Sequence, residues 1–264
     1  MSTHGQGARV RSMGRFVGAA LALLVGSSLC GAAVAKPAPR SPAHAEASPG
    51  QPMDPSVQKQ VAAVQAFYEK THDLTAHFEQ RYHYASFNRT QQSAGQVVIR
   101  KPKKGAAGAA GSPAMRWDYQ TPEAKSIVVT GGYVYMYQPE SLQLTKSSLD
   151  LSTLSASITF LWGAGSLTDS FYISRAERKD LTPGVALELV SKKPDARFQR
   201  VFMLIDPKTA QVTQTIVVDP DGSENHMTFS DMKVDQGVPD SRFHLDVAPG
   251  TQVTDLTHGA PAGR

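Results

Sequence analysis

MRWDYQTPEAKSIVVTGGYVYMYQ, residues 115–138, contains three short runs that are typical of β-strands. The runs Met115–Tyr119, Ser126–Thr130 and Tyr133–Gln138 are rich in β-branched and aromatic side chains. A Gly-Gly pair between the second and third runs leaves room only for a tight turn, so these two runs predict an antiparallel hairpin. The segment therefore favours a β-meander at the centre of the chain.

Similar runs continue in both directions. Upstream, residues 74–84 alternate between apolar and polar side chains, and residues 91–100 are a suitable partner strand. Downstream, β-type runs separated by Asp-Pro turns recur between residues 171 and 234, and the last run is Phe243–Val247. About a dozen strands with short links, and no alternating helices, predict an antiparallel barrel or a strongly curved sheet.

Two segments have helical rather than strand periodicity. Asp54-Pro55 is an N-cap followed by proline at the first helical position, and an apolar repeat at helical spacing follows to about Lys70. Residues 147–165 are too long for a turn and carry apolar side chains at near-helical spacing. They predict one or two short helices, which either plug one barrel end as part of the core or form a movable lid over a ligand cavity.

The first 35 residues predict a cleavable secretory signal peptide. Arg9, Arg11 and Arg15 precede an apolar run over residues 16–29, which is shorter than the roughly 20 residues of a membrane-spanning helix. Residues 33–35, Ala-Val-Ala, provide the cleavage site. Cleavage leaves 24 basic side chains against 23 acidic ones, a net charge of +1 in place of +4, which argues against a nucleic-acid-binding surface.

Cys30 is the single cysteine of the chain. It could be the lipid acceptor of a bacterial lipoprotein. Sequences that resemble lipoprotein signals have Leu three positions before the cysteine and a small residue immediately before it, whereas this chain has Ser27 and Leu29 at those positions. Cleavage after Ala35 removes this cysteine, so the mature chain could form no disulfide, thiol nucleophile or cysteine zinc site.

The mature chain is predicted to contain one domain. Residues 36–53 form a flexible leader rich in proline and alanine, residues 54–253 form the domain, and residues 254–264 form a flexible tail. Residues 103–113 are a Gly/Ala-rich insertion that supplies no chemistry.

No motif for catalysis, metal binding or a cofactor is found. There is no Gly-x-Ser-x-Gly elbow and no phosphate-binding glycine loop. His77 and His83 lie about 20 Å apart on one strand face at ~3.3 Å per residue, too far to share an ion. Central runs such as residues 127–129 are apolar on both faces, which indicates packing on both sides or a lined cavity. We predict a binding protein with no catalytic residue, no metal and no cofactor.

The order of these motifs resembles the periplasmic outer-membrane lipoprotein carrier family (LolA) over about residues 57–253. The matching segments are Ala76-x-Phe78-x-Gln80, Gly95 to Lys101-Pro102, Arg116-Trp117-x-Tyr119-x-x-Pro122, Ile127 to Gly131, Tyr135-x-Tyr137-x-Pro139, Ile158 to Leu161, and Phe229 with Phe243, Pro249 and Gly250.

The resemblance implies an incomplete, half-open antiparallel β-barrel of about eleven strands, with an N-terminal helix and inserted helices that act as a lid. It implies a periplasmic monomer without enzymatic activity, which takes triacylated lipoproteins from an inner-membrane ATP-driven transporter to an outer-membrane receptor or to the membrane itself. Lys101 stands where the family has an arginine that contacts the lid. The side chains implied to line the acyl-chain cavity and the lid are Phe78, Met115, Trp117, Val129, Leu154, Ile158, Phe160, Leu161 and Trp162.

Two other functions stay open at this point. A regulatory protein could use the same barrel to sense lipid or mislocalised lipoproteins, although such relatives usually carry a second domain. A secreted hydrolase could draw its carboxylates from separate strands, and no acidic residue stands out for that role.

Overall fold

The computed structural model describes residues 53–102, 112–149, 166–193 and 195–257. The predicted signal peptide and nearly all of the predicted leader lie outside the described residues. So do residues 103–111 of the Gly/Ala insertion and residues 150–165 of the predicted lid.

Two helices and twelve strands make up the regular structure of the described residues. The elements are α1 (Pro55–Lys70), β1 (Asp73–Tyr84), β2 (Arg89–Arg100), β3 (Ala114–Thr121), β4 (Lys125–Thr130), β5 (Tyr133–Gln138), β6 (Gln143–Ser148), α2 (Leu167–Ser170), β7 (Phe171–Arg175), β8 (Val185–Ser191), β9 (Arg200–Ile205), β10 (Val212–Val218), β11 (Glu224–Val234) and β12 (Gln252–Asp255). Single 3₁₀ turns occur at Ala85–Phe87 and Asp240–Phe243.

All twelve strands belong to one sheet, in the order β12-β6-β5-β4-β3-β2-β1-β11-β10-β9-β8-β7. Neighbouring strands are antiparallel except β12, which runs parallel to β6. Because β12 and β7 are the two edges, the sheet is open rather than closed. The predicted fold class, an incomplete antiparallel barrel with an N-terminal helix, is confirmed, with twelve strands in place of about eleven.

Helix α1 begins and ends as its sequence predicts. The Asp54 carboxylate accepts a hydrogen bond from the Ser56 backbone N–H at 2.8 Å, and proline occupies the first turn. At the other end, the Thr71 hydroxyl donates to the Phe67 carbonyl at 2.9 Å. The apolar stripe of the helix, Val57, Val61, Val64 and Tyr68, is buried against the sheet.

One hydrophobic cluster joins α1 to side chains from both halves of the sheet, and we call the sheet face that carries it the inner face. The cluster includes Val134 on β5 and Ile173 on β7, strands that are far apart in the sheet order. The Tyr68 hydroxyl also accepts a 3.4 Å hydrogen bond from the Val212 N–H on β10. The sheet therefore curls around the helix, and burial raises the pKa of Tyr68 above its ordinary value.

The opposite, outer face is apolar in two places, and each is covered by a connecting segment. Val98, Ala114 and Val128 pack under Phe243. Phe202, Leu204 and Ile216 pack with Ala176 and Leu181 from the β7–β8 connection. Apolar residues on both faces of the central strands are thus explained by packing on both sides.

The predicted strand over Phe243–Val247 is wrong. Phe243 ends a 3₁₀ turn, and its ring packs on the outer face with the Arg100 guanidinium 4.8 Å from the ring centroid. The last strand is β12, whose four residues are all exposed, so no alternation of apolar residues marks it in the sequence. Thr254 and Asp255, in the predicted tail, belong to this strand.

Candidate functional site

An aromatic group forms the centre of the inner face. Phe78 on β1 is 1% exposed. Its ring centroid lies 4.9 Å from that of Trp117 and 4.9 Å from that of Tyr119, with edge-to-face geometry in both pairs. Both partners come from β3, two strands away, so the ring of Phe78 extends across β2.

Gly95 on β2 makes this arrangement possible. It is the register partner of Phe78, and the register between β2 and β3 shifts between Ala94 and Gly95. A Cβ atom at position 95 would lie 1.9 Å from the Asp118 carbonyl oxygen and 3.0 Å from Cζ of Phe78. The absence of a side chain therefore lets β3 approach closely and lets the ring lie over the strand.

Beside this group, apolar side chains remain partly exposed where they pack against the core. Trp117 is one of them, and its ring centroid is 6.3 Å from that of Phe229 on β11. We call this set the inner apolar surface, and its described members are Met53, Phe67, Trp117, Met136, Leu149, Val185, Val217, Phe229, Met232 and Val234. Because these residues are apolar yet accessible, the surface is suited to contact with an apolar ligand.

The predicted cavity residues fall into three groups. Phe78, Met115 and Val129 are buried in the core, and Met115 and Val129 are register partners on β3 and β4. Trp117 is partly exposed on the inner apolar surface. The remaining five, Leu154, Ile158, Phe160, Leu161 and Trp162, lie outside the described residues.

Sequence reasoning did not single out Phe67 and Val234 of the inner apolar surface. Phe67 lies beside the buried stripe of α1, three positions after Val64, so its helical spacing could have indicated it. Val234 follows a register shift between β1 and β11, which no sequence pattern predicts.

Lys101 anchors the end of helix α1. Its side-chain ammonium donates to the carbonyl of Tyr68 and, at 3.1 Å, to the carbonyl of Glu69. Its backbone N–H donates to the His72 carbonyl at 2.9 Å. These carbonyls belong to the C-terminal end of α1 and to a residue two positions beyond it, where a cation also interacts favourably with the helix dipole.

Burial lowers the pKa of Lys101, and the nearby carboxylates of Asp235 and Glu69 oppose this shift. The predicted contact between Lys101 and the lid stays a prediction, because residues 150–165 are not described. The neighbouring Arg100 side chain lies on the outer face, where it forms a 2.5 Å ion pair with Asp240.

The same end of the sheet is held by Asp73. This buried carboxylate accepts three backbone hydrogen bonds, from Gln236 at 2.8 Å, Gly237 at 2.9 Å and Val238 at 3.2 Å. The segment that follows β11 is thereby fixed next to the start of β1.

Charged groups collect on the outer face of β11. The Arg178 guanidinium donates to both carboxylate oxygens of Glu224, at 2.9 and 3.1 Å. His226 is buried, with its Nε2 2.8 Å from Glu224. Hydrogen bonds from His226 and Arg178 hold the pKa of Glu224 at about 2, against an ordinary value of 4.5, although burial opposes the shift.

Two other features are absent from the described residues. In residues 53–102, 112–149, 166–193 and 195–257, no three His, Cys, Asp or Glu side chains are grouped so that they could hold a metal ion. None of the helices in these ranges is long and apolar enough to cross a membrane.

Comparison with known proteins gives one family. The sequence profile described as "Outer membrane lipoprotein carrier protein LolA" matches residues 69–246. The outer-membrane lipoprotein carrier protein of Methylobacillus flagellatus is 27% identical over 194 residues, which cover 73% of this chain and 87% of that protein. The protein of the same name from Pseudomonas aeruginosa is 26% identical over 196 residues, covering 73% of this chain and 87% of that protein.

Solved structures are similar at lower identity. The LolA superfamily protein of Nitrosomonas europaea is 13% identical, with a TM-score of 0.39, and the match covers 72% of this chain and 97% of that one. The structure of the Pseudomonas aeruginosa MucA/MucB complex matches at 11% identity and a TM-score of 0.41, covering 72% of this chain and 61% of that one.

Proposed function

The chain belongs to the outer membrane lipoprotein carrier family, and from this membership we propose that it is a non-catalytic carrier that binds the acyl chains of lipoproteins on its inner apolar surface. The observation that carries the proposal is that surface itself. Partly exposed aromatic and aliphatic side chains lie on the inner face of an open, curled sheet, beside a fully packed core.

Acyl chains require an apolar surface of this kind because their exposure to water is costly in free energy. Each methylene of an acyl chain gains about 0.8 kcal/mol when it leaves water, so a lipid-modified protein does not cross an aqueous compartment unshielded. Trp117 and Phe229 supply a broad, rigid contact area, and Met136 and Met232 supply flexible side chains that adapt to chains of different shape.

The predicted lid completes the proposal. The apolar residues Leu154, Ile158, Phe160, Leu161 and Trp162 would cover the bound acyl chains. The amine of Lys101 and the end of α1 would form the contact against which this segment closes, with Phe78, Met115 and Val129 as the packed base below it.

The proposed location of the protein follows from the predicted signal peptide. We propose export to the periplasm, where the protein acts as a monomer. It would receive triacylated lipoproteins from an inner-membrane ATP-driven transporter and pass them to an outer-membrane receptor or directly to the membrane.

The test uses the exported protein, purified without detergent, and a triacylated lipopeptide with its unacylated form as the matched ligand. We expect native mass spectrometry to find one lipopeptide per protein and transfer to acceptor vesicles, with no binding of the unacylated form. Equal binding of both forms, or none of either, would refute the carrier function.

A further inference from the structure

Lys125, the first residue of β4, carries a positive charge on the inner face of the sheet. It is the register partner of Tyr119 on β3, and Tyr119 belongs to the buried cluster of that face. Because side chains alternate along a strand, Lys125 shares its face with Ile127 and Val129 of the same cluster. A lysine in this row requires an explanation, since removal of a charge from water is costly.

The ammonium group of Lys125 lies against an aromatic side chain. Its Nζ is 4.3 Å from the centroid of the Tyr119 ring, and the same ring makes edge-to-face contact with Phe78 at 4.9 Å. Lys125 is partly buried there. Burial lowers the pKa of Lys125, and the charge of Glu123 opposes this shift. The ring face attracts the cation, but it supplies no negative charge to neutralise it.

The charge of Lys125 has no direct partner in the part of the chain that the structure describes. Within those residues, the ammonium group forms no hydrogen bond and no ion pair. Glu123, an exposed residue between β3 and β4, acts on it electrostatically, but the two side chains are not in contact as an ion pair. The ammonium group of Lys125 therefore keeps its N–H donors for an incoming acceptor.

Lys125 adjoins the inner apolar surface. Ile127, the next inner-face residue of β4, pairs with Trp117 on β3 and with Met136 on β5, and both partners belong to that surface. Two residues along a strand span about 6.6 Å at ~3.3 Å per residue. A ligand whose acyl chain lies on Trp117 and Met136 can therefore place a charged end at Lys125.

We propose that the inner apolar surface also binds free lipids that have an anionic head group, and that Lys125 pairs with that head group. This inference rests on the proposed function in one respect, because the acyl chain occupies the same surface. The acyl chains of a triacylated lipoprotein are attached through uncharged ester and amide groups, so that ligand does not require the cation. The carboxylate of a fatty acid and the phosphate of a lysophospholipid share the required chemistry, since either anion accepts a charge-assisted hydrogen bond from the ammonium group.

The experiment measures equilibrium binding to the exported protein, purified without detergent, by isothermal titration calorimetry. Laurate and lauroyl-lysophosphatidylglycerol are the anionic ligands, and monolauroylglycerol is the neutral ligand with the same acyl chain. Each is used below the concentration at which it forms micelles. We expect the anionic ligands to bind about tenfold more tightly than the neutral one, because they gain a charge-assisted hydrogen bond. Tight binding of only one anion would support the site and assign it to a carboxylate or to a phosphate.

Substitution of Lys125 tests its role directly. Lys125→Met removes the charge and keeps a long apolar side chain. We expect it to bind the anionic ligands about tenfold more weakly and to bind monolauroylglycerol as the wild type does, which also shows that the variant is folded. Lys125→Arg should keep the preference for anions, because it keeps the charge.

Lys146→Met is the matched control. The Nζ of Lys146 also lies 4.3 Å from the centroid of a tyrosine ring, that of Tyr133. Lys146 is on the outer face, however, because it is the register partner of Tyr135, which packs against the outer-face cluster. It also has a carboxylate partner, Asp255, at 3.5 Å. This variant should bind all three ligands with wild-type affinity.

Three results would overturn the inference. They are equal affinities of the wild type for the anionic and neutral ligands, unchanged binding of the anions by Lys125→Met, and no binding of any of the three ligands. None of them decides the carrier function, which is measured with the triacylated lipopeptide. Charge-selective binding of the lauroyl ligands by a protein that does not bind the lipopeptide would refute only the carrier function.

Discussion

Phe78 and Gly95 are register partners on β1 and β2, and the phenyl ring lies so close to the glycine that a Cβ atom there would be 3.0 Å from its Cζ atom. This pair sets how closely β3 approaches β2, because the Asp118 carbonyl fills the remaining room. The core of the inner face therefore depends on a missing side chain as much as on a large one.

Gly95→Ala is expected to destabilise the protein by about 2–4 kcal/mol, since the new Cβ would lie 1.9 Å from a backbone oxygen that cannot turn aside. Urea denaturation measures this change. Adding Phe78→Leu should not restore stability, because the nearest obstacle is the Asp118 backbone rather than the ring. Recovery in the double variant would show that the ring sets the limit instead.

Lys101→Leu is expected to lower the free energy of unfolding by about 1–2 kcal/mol, because the carbonyls of Tyr68 and Glu69 lose a charged donor at the helix end. Lys101→Arg should keep most of that stability. If Lys101 also contacts the lid, the leucine variant should release bound lipopeptide more slowly than wild type. Identical unfolding curves for Lys101→Leu and wild type would contradict the anchoring role.

Glu224 should make stability depend on pH in the acid range. Its folded-state pKa of about 2 lies below the ordinary value of 4.5, so its contribution is complete above about pH 4.5 and is lost as the pH falls toward 2. We expect Glu224→Gln to cost about 1–2 kcal/mol at pH 7 and progressively less at lower pH. Urea denaturation at several pH values measures the difference, with the exposed Glu140→Gln as control. A deficit of the Gln variant that stays constant down to pH 2 would contradict the assignment.

Phe229→Asp is expected to weaken binding of a triacylated lipopeptide by at least about tenfold, because it places a charge on the inner apolar surface. Thr228→Asp introduces the same charge on the adjacent residue of β11, which is exposed on the opposite face of the sheet. This control should bind normally. Equal affinities for the two variants would mean that acyl chains do not contact this part of the inner face.

The periodicity of the chain predicted α1, the central meander and an antiparallel barrel or curved sheet, because residues such as Phe78 and Val128 alternate with the pleat of each strand. That the barrel is incomplete followed only from the family resemblance. Periodicity did not predict β12. Val253 and its neighbours are all exposed, so they show no alternation of buried and exposed positions, and the strand forms through parallel pairing with β6. It misassigned Phe243, because an apolar residue that covers an outer face has the same local pattern as one in a strand.

The candidate site was predicted less completely than the fold. Trp117 was identified within its motif, whereas the contact of Lys101 with α1 depends on where a helix end meets a strand end. The sequence shows that residue 101 carries a positive charge. It does not show that the charge contacts the carbonyls of Tyr68 and Glu69, because that contact depends on the tertiary structure.

The pairing of β1 with β11 constrains when this protein folds. It joins Leu74 to Val234 at the middle of the sheet, so the two halves cannot associate until nearly the whole chain is available. Closing so long a loop makes folding slow compared with domains built from local contacts. If the predicted signal peptide directs export, the centre of the sheet could form only after β11 had followed β1 out of the secretion channel.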